Sequence, residues 1–196
     1  MGAYYYLAAQ LPYLVYGQGV PMSSAAFRAM AHDAMGSSDA ALLDYCTLDP
    51  DPTVSGGLSY AEPAKRGASA FINRWKEWER TLRLTLARGR FQKLKREGGA
   101  VADSPEYPAD AAGVAKSALA MDSPLEAEIF LDKARWDAIE SFQGISAFSE
   151  NAMYAYLLKL LLMERRAAFK NEEGFTEYKG LYAAILGSET SFGEAK

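Results

Sequence analysis

The sequence predicts a mainly α-helical fold, a single helical domain over 1–196, with one long basic helix and a buried C-terminal helix. Three observations carry that expectation. Residues 64–97 run without proline and place apolar side chains at helical spacing. Ser123-Pro124-Leu125-Glu126 reads as a capping box with proline at the first helical position. The run 152–163, AMYAYLLKLLLM, has the length of a buried core helix and carries Lys159 inside it.

Taken in order, residues 4–10 are short, tyrosine-rich and end near Pro12, which fits either a strand or a buried helical turn. Ser23 or Ser24 is an N-cap for a helix carrying Phe27, Met30, Ala31 and Ala34, stopped by Gly36. Ser38 can cap a second short helix over 39–46. Residues 47–63 hold three prolines and Gly56-Gly57, and read as a loop. The long helix then runs from about 64 to 97, with Gly67 and Gly89 as weak points and Gly98-Gly99 at its end. Residues 98–122 form a second loop region, with one helix expected over 109–121. Helices follow over about 124–142, from a Ser149 cap to about 170, and over about 175–186. No repeat of 20–50 residues is visible.

Composition narrows the function. The chain has 196 residues, 49% hydrophobic and 23% charged, which is ordinary for a globular protein and excludes collagen-like or wholly disordered classes. One cysteine, Cys46, permits no intrachain disulfide or cysteine-built metal site and fits a reducing compartment. The first 27 residues carry no charged side chain, so the basic start of a secretory signal is missing, and Pro12, Gly17, Gly19 and Pro21 interrupt the stretch. A cytoplasmic protein is expected.

Motifs for chemistry are scarce. No phosphate loop, dinucleotide fingerprint, zinc-protease, EF-hand or nucleophile-elbow motif occurs, and no cofactor is expected. His32, the single histidine, lies beside Asp33 on a weakly amphipathic helix and reads as an exposed or satisfied side chain. Glu126 and Glu128 are two residues apart and point to different helix faces, which does not make a catalytic pair.

Charge is the informative signal. Residues 64–97 hold eleven basic side chains against three acidic ones, a net +8, while the rest of the chain carries −12. At about 100° per residue, Phe71, Trp75, Trp78, Leu82 and Leu86 form one stripe, which reads as core. Leu84 and Phe91 fall roughly opposite, among Arg80, Arg88 and Lys95. On a straight helix these five residues form a docking strip, with apolar anchors in a basic surround suited to an acidic protein partner. A bend at Gly89, or another helix of the same chain, would instead hide Phe91. Nucleic acid is the competing partner, disfavoured by the acidic remainder and by the lack of a recognised motif.

One carboxylate stands out. Leu125, Ile129, Trp136 and Ile139 share a helical face, and Asp132 lands in its middle. Either Asp132 caps a new helix starting at Lys133, the favoured reading, or it is buried and paired with an arginine of the basic helix.

Three blocks in this order, YYYLAAQLP, FINRWKEWERTLRLTLARGRFQKL and SPLEAEIFLDKARWDAIESFQGISAFSENAMYAYLLKLLLMERR, resemble an uncharacterised bacterial family encoded within V-type ATP synthase operons of spirochaetes, Bacteroidetes and relatives. Such operons often lack an obvious gene for the d-type subunit, the helical adapter between rotor ring and central stalk. The resemblance therefore implies a non-catalytic counterpart of that adapter. Its partners would be other subunits of the ATPase, with the membrane met only through the complex at the inner-membrane surface. The chain is much shorter than a typical d-type adapter, so a one-unit version is expected.

Overall fold

The computed structural model describes residues 4–48, 69–93 and 108–168. Seven α-helices and one 3-10 turn are found among them, and no strand: α1 Tyr5–Gln10, α2 Ser24–Ala34, α3 Ser37–Leu42, the turn Leu43–Tyr45, α4 Ala70–Lys93, α5 Ala109–Leu119, α6 Pro124–Gln143 and α7 Glu150–Ala168. The all-helical expectation holds. The tyrosine-rich start is helical rather than extended, because Leu7 buries against the helices behind it. The helix expected over 175–186, and most of the two loop regions, lie outside the described residues.

The caps explain most boundaries. Ser23 Oγ accepts the Ala26 amide and starts α2, and Ser123 Oγ does the same for Glu126 at α6. Ser149 Oγ accepts the Ala152 amide at the start of α7. The short helix after Gly36 begins earlier than a Ser38 cap requires, with Gly36 at the cap position and no side-chain cap. Gly144, at φ +79°, turns the chain between α6 and α7, a backbone geometry that glycine adopts without a Cβ penalty.

Cross-helix contacts fix the directions. Trp78 Nε1 donates to Asp110 Oδ2 at 2.9 Å and Gly89 lies against Leu119, so α4 and α5 run side by side in the same sense. Arg135 meets Glu79 and Arg90 meets Glu128, so α6 runs antiparallel to α4. Lys159 meets Glu140 and Arg165 meets Glu128, which makes α6 and α7 an antiparallel hairpin. Helix α2 packs on α7: the amide and hydroxyl of Ser24 both donate to the Glu164 carboxylate, at 2.6 and 2.7 Å, and Phe27 lies 5.0 Å from Tyr156 between ring centroids. The α4–α7 bundle thus has two ends. Ser69 bonds Asn151 at one, beside the α6–α7 turn, and Arg90 reaches Glu128 at the other, about 30 Å along the helix axis.

The core joins every layer, from Leu7 and Phe27 through Trp75, Trp78 and Leu82 to Ile139, Tyr154 and Leu158. Trp75 and Trp78 stack at 6.0 Å, and the expected stripe of α4 is buried throughout. The apolar face expected on α6 is only half so. Trp136 and Ile139 are buried, whereas Leu125 and Ile129, nearer the start of that helix, stay exposed.

Candidate functional site: the basic helix and its carboxylates

Helix α4 runs unbroken through Gly89. That glycine is a point of close approach rather than a bend: a Cβ there would run into the Leu119 side chain of α5. Ile72, Thr81, Leu84 and Thr85 are buried in addition to the core stripe, so the helix is enclosed on more than one side.

This corrects the expected docking strip. Leu84 is only 1% exposed, covered by the chain itself, and cannot serve as a surface anchor. Arg80 is half-buried and pairs with Glu77 one turn back, at 3.2 Å. Phe91 is half-buried, Arg88 is exposed, and Lys95 lies outside the described residues. What remains presentable is the last two turns of α4, with Arg88, Arg90, Phe91 and Lys93. Lys93 Nζ donates to the Leu119 carbonyl, which ties that end to α5.

A second face of α4 does something the charge count did not reveal. Glu79 sits on the core side, buried, where Arg135 of α6 donates to it through Nε at 3.0 Å and Nη2 at 3.1 Å. Arg83 adds a third donor from α4 at 2.5 Å. Arg135 Nη1 also reaches Asp132 at 3.2 Å. One guanidinium therefore serves two carboxylates, and the bidentate fork toward Glu79 sets its orientation. Burial alone would lower the basicity of Arg135, but the adjoining carboxylates, Glu79 foremost, raise it above its ordinary value. Burial pushes the Asp132 carboxyl up, against the pull of Arg165 and Arg135.

Asp132 thus settles against the capping reading. It lies inside one continuous helix, Pro124–Gln143, and its ion-pair partner is Arg135 on that same helix rather than an arginine of α4. Glu79 is the member that sequence reasoning missed. The signal was available: it stands four residues after Trp75 and three before Leu82, inside the apolar stripe, where a carboxylate needs a cation.

The outer end of α4 repeats the same chemistry in water. Arg90 approaches Glu128 of α6 at 3.6 Å, and Arg165 of α7 holds the other oxygen of that carboxylate at 3.3 Å.

His32 is exposed near the end of α2. Cys46 is buried and its thiol is pushed up to about 12, which leaves it protonated and unreactive. Among the described residues, no cluster of histidine, cysteine and carboxylates could hold a metal, and no helix is long and apolar enough to cross a membrane. Comparison with known proteins returns nothing further: no family model, curated protein or solved structure matches the chain.

Proposed function

We propose that the chain is a non-catalytic component or assembly protein of a bacterial V-type ATP synthase, an adapter in the manner of the d-type subunit. It holds other polypeptides of the central stalk or rotor ring, on the cytoplasmic side, and meets the inner membrane only through the complex. The resemblance of three sequence blocks to the operon-encoded family supports this choice of partner. The observation that supports a binding role is the outer end of α4, where exposed Arg88 and Arg90 flank the half-buried Phe91. Arginines around an aromatic edge suit an acidic polypeptide surface, since both residue types concentrate binding energy when an interface desolvates them.

Stiffness also supports an adapter. The Glu79–Arg135 fork ties α4 to α6 in the bundle interior, so load on the outer end of α4 passes to the α6–α7 hairpin.

The alternative, a nucleic-acid-binding helical module, draws on the same +8. Ion pairs to Glu77, Glu79 and Glu128 take up part of that charge, which disfavours phosphate as the partner. A salt-dependent shift in a low-salt gel assay would support it over the adapter.

The direct test is isolation of the tagged chain at native expression level. Recovery of rotary ATPase subunits in fixed proportion is expected. Their absence, together with normal ATPase assembly in a deletion strain, would overturn the proposal.

A further inference from the structure

At the end of the bundle opposite Arg90 lies a second surface, of different chemistry. Helix α1 is stapled to the α6–α7 turn by the Tyr4 amide, which donates to the Phe148 carbonyl at 2.8 Å. The Tyr5 and Phe148 rings meet at 4.5 Å between centroids. Around this joint Tyr6 is 79% exposed and Ile145 stands fully in solvent, with Tyr5 and Phe148 also exposed. Isolated exposed apolar residues are ordinary, but here four large ones belong to two segments joined by a backbone bond.

Neither segment carries a charged side chain: the first 27 residues and residues 141–149 contain no Asp, Glu, Lys or Arg. The charges that act on Tyr4 at this joint are carboxylates, Asp39, which accepts the Tyr4 hydroxyl, and Glu150 at the start of α7. Burial foremost, and these carboxylates after it, push that hydroxyl up to about 12. Exposed aromatic side chains beside carboxylates, with no basic side chain in either segment, form a surface that attracts ammonium and guanidinium groups.

We propose that Tyr5, Tyr6, Ile145 and Phe148 form a docking surface for a cationic amphipathic helix of a partner polypeptide. Ile145 and Tyr6 enter its apolar face, while its lysines or arginines lie over the tyrosine rings and against Glu150. An anionic membrane surface is disfavoured, because the same carboxylates repel it. The backbone staple fixes the two segments relative to each other before binding, which lowers the ordering cost of the contact. The protein then has two gripping ends about 30 Å apart, one for an acidic partner and one for a basic one.

The test uses the whole chain and a fluorescent synthetic helix of alternating lysine and leucine faces, read by anisotropy. A glutamate–leucine peptide of equal length and phosphatidylserine vesicles serve as competing probes. Expected results are saturable binding of the lysine peptide and an affinity loss of about tenfold in Tyr6→Ser/Ile145→Ser, with an unchanged melting temperature. Glu150→Gln should give a smaller loss, and Glu126→Gln, at the opposite end of α6, none. Equal binding by Tyr6→Ser/Ile145→Ser, or preference for the glutamate peptide or the vesicles, would overturn the proposal. Neither result bears on the outer end of α4, which this probe does not require.

Discussion

Among the described residues two ionic contacts join α4 to α6, and they differ in geometry as well as in distance from water. The inner is a two-bond fork at 3.0 and 3.1 Å, the outer a single approach at 3.6 Å. In the bundle interior Glu79 and Arg135 meet with side chains 10% and 5% exposed. At the outer end Arg90 and Glu128 meet at 61% and 42%. Both are arginine–glutamate pairs, and each glutamate draws a second arginine, Arg83 in the first case and Arg165 in the second. The comparison teaches that a net charge read along a helix is not a surface property. Part of the positive charge of α4 is committed to Glu79 inside the protein. The outer part, loosely paired and hydrated, can exchange its carboxylate for a partner's at small cost.

The largest effect should come from breaking the interior pair. Glu79→Ala leaves Arg135 bonded only to Asp132 and should cost about 3–5 kcal/mol, because a buried charge loses its main counterion. Urea denaturation measures it; a loss under about 1 kcal/mol would erase the distinction between the two contacts. Next, Gly89→Val tests whether the outer end is closely packed although its charges are not. A branched side chain must displace Leu119, and a loss of about 1–3 kcal/mol is expected, seen as a lower urea midpoint.

Asp132 sharpens the comparison through pH. Burial raises its carboxyl above the ordinary value, so the folded protein holds that proton more tightly than the unfolded chain does. Its contribution to stability is therefore lost as pH rises from the ordinary carboxylate value through the raised one. Asp132→Asn should flatten that slope in denaturation midpoints measured between about pH 4 and 7. Smallest of all, Glu128→Gln should change stability by less than about 1 kcal/mol and lose even that in high salt. A larger, salt-insensitive effect would show that the outer pair is also locked.

The helices themselves were legible because local chemistry specifies them. Serine oxygens at 23, 123 and 149 cap where the sequence places them, and the Phe71–Leu86 stripe is core. What periodicity could not resolve was how many neighbours a helix has. Leu84 lies opposite the main stripe and would face solvent on a one-sided helix, yet the chain covers it. The same limit applies to α6, where Leu125 and Ile129 continue an apolar face beyond the point at which the bundle covers it. Asp132 failed as a cap because its partner, Arg135, lies three residues ahead on the same helix. A carboxylate satisfied in that way need not interrupt the helix. Of the five residues expected to grip a partner, Arg88 and Phe91 keep surface exposure at the outer end, which is why the proposed contact moves there.

The division of charge on α4 is tested most directly by reversing its outer half. Arg88→Glu/Arg90→Glu should leave the melting temperature within about 3 °C of the parent, since both side chains are exposed, and should abolish recovery of ATPase subunits with the tagged chain. Undiminished recovery by a folded double variant would contradict the account.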